Sequence, residues 1–327
     1  MVAERVQGLA LAGLDKLPPQ FIRPLNERPE NSKALTGLHV PTVSFSPDCK
    51  QAAKGSEEWG IFQLTDHGIS PELFRRLKEA GEGFFSLPQE YKEQYANDFA
   101  GGVFEGYGTK LAKNPDQKLE WIDYFFHFMW PTSRVNYDKW PKSPLNYREV
   151  TEEYGEEMKR VAEGVLEALS VGLGLEAGAL KEALGGEEMS LEMKINLYPP
   201  CPQPELALGV EAHTDMSALT ILLPNQVPGL QVIKDGSWVS VDYVPDALVV
   251  HVGDQIEVLS NGRYKSVLHR SLVSKDETRM SWAVFFVPPP DKIIGPLPHL
   301  LNETNPPLFS TKTFKDFQHR KINKLSQ

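Results

Sequence analysis

A few polar residues at short spacing, set in otherwise apolar stretches, define the chemistry open to this chain. The segment Leu208-Gly-Val-Glu-Ala-His213-Thr-Asp215-Met-Ser-Ala-Leu-Thr-Ile-Leu-Leu reads as strand, turn and strand around a His-x-Asp step. Residues two apart on a strand point to one face, so His213 and Asp215 are expected to converge. An isolated His-x-Asp is more often a capped turn or a surface pair than a metal site. A third ligand is available in His269, within the alternating run Tyr264-Lys-Ser-Val-Leu-His269-Arg-Ser-Leu-Val. Two imidazoles and one carboxylate are the set that suits a non-haem Fe(II) and leaves several coordination positions open.

Thr278-Arg279-Met-Ser281-Trp-Ala-Val-Phe-Phe-Val then places an arginine and a serine on one face of a very apolar strand. A guanidinium does not lose its charge, so burying it demands a partner. That partner is either a structural Asp or Glu or the carboxylate of a ligand held by two parallel hydrogen bonds. A catalytic zinc on the same His₂-carboxylate set is the alternative metal. It leaves Arg279-x-Ser281 without a purpose.

His213-x-Asp215, His269 and Arg279-x-Ser281, in this order and spacing, resemble the plant 2-oxoglutarate- and Fe(II)-dependent dioxygenases, closest to the flavonol synthases and anthocyanidin synthases. The likeness extends to Trp59-Gly-Ile-Phe-Gln-Leu-Thr-Asp-His67-Gly, Glu105-Gly-Tyr-Gly-Thr-Lys-Leu, Met193-Lys-Ile-Asn-Leu-Tyr198-Pro-Pro-Cys-Pro-Gln-Pro and Arg320-Lys-Ile-Asn-Lys-Leu. It implies Fe(II) on His213, Asp215 and His269, with 2-oxoglutarate, O2 and ascorbate as the other small molecules. By the same resemblance Arg279 and Ser281 hold the distal carboxylate of 2-oxoglutarate, with Asn196 and Tyr198 nearby. Tyr124, Phe126, Lys194 and Phe285 match the positions that surround a flat flavonoid, although packing alone also accounts for the aromatics and a surface position for Lys194. The implied reaction is desaturation of a dihydroflavonol to a flavonol, with 2-oxoglutarate split to succinate and CO2. Anthocyanidin synthase chemistry, or another specialised-metabolism dioxygenase, is the alternative.

Four positions depart from the pattern. Ser44 stands where the family usually has Asp, and Asp66 where Asn is commoner. Flavonol synthases usually carry His where Tyr124 stands; Tyr is nearer anthocyanidin synthase. Both usually carry Glu where this chain has Val287, which removes an expected acceptor for a ring hydroxyl.

The elements that position these residues follow from periodicity. Pro71 to Phe85 keeps Leu73, Phe74, Leu77, Ala80, Phe84 and Phe85 on one helical face, with proline suited to the first turn. Tyr147 to Leu173 is a long amphipathic helix ended by Gly172 and Gly174, and residues 176–184 and Thr313 to Leu325 add shorter helices. Residues 2–14 have helical spacing, 22–38 read as an extended connection, 39–45 and 61–64 as strands, and 119–130 as a buried strand. Asp235-Gly236 and Asn261-Gly262 are hairpin signals between apolar runs. His67 is read as a turn residue, and His251 with Asp254 as a structural pair facing opposite ways. Strands and hairpins after a helical first half predict a mixed α/β (α+β) chain, a jelly-roll or cupin-like barrel supported by helices, and the family resemblance implies the same, a double-stranded β-helix core. One domain is expected over 1–327, with an N-terminal dioxygenase region at 39–145 and the catalytic core at 190–289.

The 327 residues carry 41% hydrophobic side chains, enough for a substantial core, and a net charge of −10. That acidity argues against a nucleic-acid partner. No stretch reaches the length of a membrane span, and the first residues lack the apolar core of a signal peptide. Cys49 and Cys201 are expected as free thiols in a reducing, cytoplasmic setting. A monomer working on a small molecule is the simplest expectation.

Overall fold

The computed structural model describes residues 5–29, 37–45, 50–98, 101–109 and 118–325. Cys49, and the parts of segments 2–14, 22–38 and 105–111 outside those ranges, lie beyond the described residues. The helices are α1 (Val6–Leu11), α2 (Lys50–Glu58), α3 (Pro71–Phe85) and α4 (Gln89–Glu93), then α5 (Tyr147–Gly172), α6 (Ala179–Leu184), α7 (Asp254–Leu259) and α8 (Phe314–Ile322). The strands that matter begin with β1 (Thr42–Ser44), β2 (Ile61–Thr65), β3 (Gly106–Thr109) and β4 (Asp123–Trp130). They continue with β5 (Ser190–Tyr198), β6 (Val210–His213), β7 (Leu219–Pro224) and β8 (Leu230–Lys234). β9 (Ser237–Ser240), β10 (Leu248–Val252), β11 (His269–Ser271) and β12 (Arg279–Val287) complete the set.

Eight strands form one sheet in the order β1-β2-β10-β7-β12-β5-β4-β3, and four form a second, β6-β11-β8-β9. Together they make the jelly-roll core, with helices on the outside. All pairings but β1–β2 are antiparallel. Residues directly opposite therefore share a face, and the register assigns every side chain. One face of the large sheet carries Phe125, Met193, Ile195, Val284, Trp282, Ile221 and Val250, all buried against the helices. The other face carries Tyr124, Phe126, Lys194, Asn196, Tyr198, Arg279, Ser281, Phe285, Thr220 and His251. This inner face looks toward the smaller sheet.

Local chemistry explains the helices that hold this arrangement. Ser70 caps α3 by accepting from the Glu72 amide at 3.1 Å, and Pro71 sits where no intrahelical donor is needed. Gly81 of α3 is required by a close approach: a Cβ there would lie 2.8 Å from the Trp282 indole nitrogen. α5 buries Val150, Tyr154, Met158, Val161, Val165 and Leu169 along one stripe against α3 and the sheet.

Asp235-Gly236 turns β8 into β9 with φ values of 49° and 78°, as the hairpin signal predicts. Asn261-Gly262 does not make a hairpin. It closes the C-terminus of α7, with φ values of 50° and 77° and the Gly262 amide donating to the Glu257 carbonyl at 2.9 Å. Two successive left-handed residues serve a helix end as well as a tight hairpin, so the dipeptide alone does not choose between them.

Candidate active site

His213 ends β6 and His269 begins β11, and the register sets them directly opposite each other. Their rings lie 4.3 Å apart between centroids. Asp215 is not in the strand, contrary to the shared-face expectation. It lies in the loop after β6, where its carbonyl accepts from the Asp254 amide at 2.9 Å. The loop, rather than strand alternation, turns the carboxylate inward. Asp215 Oδ1 then stands 3.6 Å from His213 Nε2 and 3.8 Å from His269 Nε2. One ligand atom from each of the three residues falls within 4.8 Å of the others.

The protonation states favour a cation. His213 Nδ1 donates to the Glu211 carbonyl at 2.8 Å and His269 Nδ1 to the Val267 carbonyl at 3.1 Å. Each bond leaves the Nε2 lone pair free to face Asp215. Burial, helped by His213, holds His269 down to about 4. Burial opposes the charge on Asp215, but the facing imidazoles outweigh it and hold that carboxyl at about 2. Two neutral imidazoles and one carboxylate are the donor set of a divalent metal site. Asp215 Oδ2 is buried without a hydrogen-bond partner, which fits a ligand to an ion.

His251 enters this cluster too. The spacing sets His251 and Asp254 facing opposite ways, and they do part company: Asp254 begins α7 and accepts from Ser266 Oγ at 2.7 Å. His251 instead faces inward from β10, its ring 4.6 Å from that of His269, and neither of its nitrogens has a hydrogen bond. The signal was its parity within β10 rather than its spacing to Asp254. Lys321 of α8 escaped notice as well. Its ammonium donates to the Thr214 carbonyl at 3.0 Å, to the Thr214 hydroxyl and to the Asp254 carboxylate, tying the C-terminal helix to the loop between two cluster residues.

At the other end of the inner face, Arg279 lies opposite Tyr198, and Ser281 opposite Asn196. Arg279 is 1% exposed, and among the described residues no carboxylate pairs with it. Its guanidinium has the Tyr243 hydroxyl at 3.1 Å, the Ser271 hydroxyl at 3.5 Å and the Tyr198 ring at 4.7 Å; its Nε has no partner. Gly229 makes room for it, since a Cβ there would approach Arg279 Cδ to 2.8 Å. Asn196 donates to the Ser281 hydroxyl at 3.3 Å and leaves its own Oδ1 unbonded. A permanently charged group enclosed by neutral hydroxyls is a receptor for an anion. Tyr243, in the segment after β9, had no pattern in the sequence to mark it.

The positions proposed for an aromatic substrate share the same face. Phe126 lies opposite Lys194, and Tyr124 opposite Asn196. Phe285 lies opposite Thr220 on β7. The Lys194 ammonium sits 4.4 Å over the Tyr124 ring, so it is not a free surface lysine. The Tyr124 hydroxyl accepts from Asn97 Nδ2 at 3.0 Å, and Phe126 meets Phe128 edge to face at 5.9 Å. His67 is occupied elsewhere: the Ile69 amide donates to its Nδ1 at 3.2 Å, and its Nε2 meets the Asp246 carbonyl at 2.9 Å.

The 2OG-Fe(II) oxygenase superfamily profile matches residues 190–288, and the profile of the non-haem dioxygenase in morphine synthesis N-terminal region matches 41–143. A flavonol synthase/flavanone 3-hydroxylase of Arabidopsis thaliana is 51% identical over 99% of this chain and 99% of its own length. A leucoanthocyanidin dioxygenase of Malus domestica is 46% identical over 100% of this chain and 97% of its own. The crystal structure of JOX2 in complex with 2OG, Fe and JA superposes with a TM-score of 0.90 at 39% identity, covering 100% of this chain and 95% of that one.

Proposed function

The chain belongs to the 2OG-Fe(II) oxygenase superfamily and is a 2-oxoglutarate- and Fe(II)-dependent dioxygenase, and on that premise we propose that it desaturates dihydroflavonols to flavonols. The observation that carries the substrate class is the row Tyr124, Phe126, Lys194 and Phe285. It sets aromatic faces and one cation on the inner face that also holds Arg279 and His251, and the His251 ring lies 4.6 Å from that of His269. A flat, hydroxylated ring system is the natural complement to that row. Near-half identity to flavonol synthase/flavanone 3-hydroxylases along the whole length supports the reaction.

His213, Asp215 and His269 would hold the iron. Arg279 and Ser281 would take the distal carboxylate of 2-oxoglutarate, with Asn196 and Tyr198 flanking it. Iron held there would supply the oxidising power of O2, with 2-oxoglutarate consumed to succinate and CO2 and ascorbate as the reductant expected to keep it ferrous. The balance is dihydroflavonol, 2-oxoglutarate and O2 to flavonol, succinate, CO2 and water. Lys194 and the aromatic row orient the substrate and exclude water. Which C–H bond faces the metal is a matter of that orientation, so small pocket changes redirect the outcome. Tyr124, together with the leucoanthocyanidin dioxygenase likeness, favours leucoanthocyanidin oxidation as the second reading.

The test is incubation of the purified protein with Fe(II), ascorbate, 2-oxoglutarate and a dihydroflavonol, flavanone or leucoanthocyanidin in parallel. Flavonol should appear mole for mole with succinate in the first. Consumption of the leucoanthocyanidin alone would transfer the assignment to the second reading.

A further inference from the structure

Among the described strand residues, the inner face of the eight-stranded sheet carries one carboxylate, that of Glu192. It lies opposite Phe285 on β12 and opposite Phe128 on β4, and two residues before Lys194 on β5. Phe285 in turn faces Thr220, so Glu192 belongs to the cross-strand row that runs toward the His-Asp-His cluster. Val287, the next inward residue of β12, offers no polar atom at this end.

Glu192 is only partly accessible, and burial pushes its carboxyl up to about 6. Among the described residues it has one hydrogen bond, from Ser190 Oγ to Oε1 at 3.1 Å. Its charged neighbours do not touch it. Arg134 stacks over the Phe128 ring at 4.4 Å, and Glu105 accepts from the Phe128 amide at 3.2 Å. Oε2 therefore has no protein donor among the described residues and is open to a partner from the pocket. The Lys194 Cα lies about 7 Å further along the strand, so the carboxylate opposite Phe285 and the ammonium over the Tyr124 ring mark two separate points on this face.

Building on the flavonoid reading above, we propose that Glu192 is a specificity-determining residue whose Oε2 accepts a hydrogen bond from a phenolic hydroxyl of the substrate. With Lys194 holding an oxygen elsewhere on the rigid frame, two fixed points set its rotation in the pocket. A site built to pair a hydroxyl discriminates against the analogue lacking it, because the half-enclosed acceptor then loses that partner.

The experiment measures kcat/KM for a series of dihydroflavonols, each missing one ring hydroxyl, with the wild type, Glu192→Leu and Glu192→Gln. One hydroxyl should matter to the wild type by about 10-fold or more, the range of a bond to a charged acceptor. Its loss should cost Glu192→Leu less than about 2-fold, since the coupling partner is gone. Glu192→Gln should fall between, as a neutral acceptor does. The anaerobic Fe(II)–2-oxoglutarate charge-transfer band and the 2-oxoglutarate KM should be unchanged in both. If Glu192→Leu lacks that band, Glu192→Gln alone decides, and discrimination equal to wild type overturns the proposal. Wild-type discrimination retained by a well-formed Glu192→Leu overturns it too and leaves the flavonoid reading standing. Wild-type protein that consumes no flavonoid at all overturns both.

Discussion

The two faces of the large sheet are made by the same strands yet treat buried polarity in opposite ways. On the outer face, His127 is fully enclosed and fully paired: its Nδ1 donates to the Phe128 carbonyl at 3.1 Å, and its Nε2 accepts from the Tyr147 hydroxyl at 2.9 Å. The unbonded buried atoms among the helices and on that face belong to Ser56, Trp140, Thr151, Tyr154 and Trp282, each a single neutral hydroxyl or indole N–H. Around the inner face they belong to Asn196, Asp215, His251 and Arg279. Two of these four carry charge; Asn196, His251 and Arg279 project from the inner face, and Asp215 lies in the loop after β6. A folded chain tolerates a stray neutral donor, but a converging set of unmet charges marks where a ligand completes the structure.

The contrast breaks hardest at Asp215. Asp215→Ala should lose Fe(II) binding and all turnover while the thermal midpoint stays close to wild type, since its Oδ2 makes no bond that folding needs. Retained Fe(II) affinity and turnover, measured anaerobically and then with O2, would sink the metal assignment. Next in size is Arg279. Two charge-assisted bonds to a carboxylate are together worth about 3–6 kcal/mol, so Arg279→Ala should raise the 2-oxoglutarate KM by about 100-fold or more and the flavonoid KM far less. Arg279→Lys should recover part of this, because an ammonium lacks the planar fork. Equal effects on both substrates would make Arg279 structural.

The outer face has its own signature, in stability rather than turnover. Burial holds the His127 imidazole down to about 4. An unfolded histidine titrates near 6.5, so below that pH the unfolded chain gains a proton that the folded chain refuses. Stability from this residue is complete above about 6.5, is lost progressively as pH falls, and stops falling below about 4. The full loss is roughly 3 kcal/mol. The gap in urea midpoint between wild type and His127→Gln should therefore narrow from pH 7 to pH 5, with 2-oxoglutarate KM at pH 7 unaffected. A constant gap would show that His127 is not the group titrating.

These faces differed in how legible they were. Arg279-x-Ser281 could be read because both residues sit within one regular strand, where parity alone fixes their direction. His213 and His269 followed the same rule. Asp215 did not, because its orientation depends on a loop held by Asp254 and Lys321, partners distant in sequence. Asn261-Gly262 was ambiguous for a local reason: a helix end and a hairpin want the same two backbone conformations. α2 gave no signal because it buries Ala52, Ala53, Gly55 and Ser56, small residues that leave no apolar stripe to detect. His251 became visible only through the register of β10, and Tyr243 only through its hydroxyl, 3.1 Å from the Arg279 guanidinium.

Lys321 is where the smallest effect is expected and where the comparison is sharpest, because this residue lies outside both faces. It donates to the carbonyl and hydroxyl of Thr214, between two of the cluster residues, and to the Asp254 carboxylate, whose backbone amide binds the Asp215 carbonyl. The C-terminal helix therefore fixes the loop whose turn carries the metal-facing carboxylate. Removing a group that orients a ligand without touching the metal commonly costs about 10-fold in affinity. Lys321→Met should weaken Fe(II) binding by about that factor, read from titration of the charge-transfer band under saturating 2-oxoglutarate. Its kcat at saturating iron should stay near wild type, and Lys321→Arg should restore part of the affinity by keeping a cationic donor. A loss of thermal stability with unchanged Fe(II) affinity would instead make α8 a simple packing element, and would leave the orientation of Asp215 to Asp254 alone.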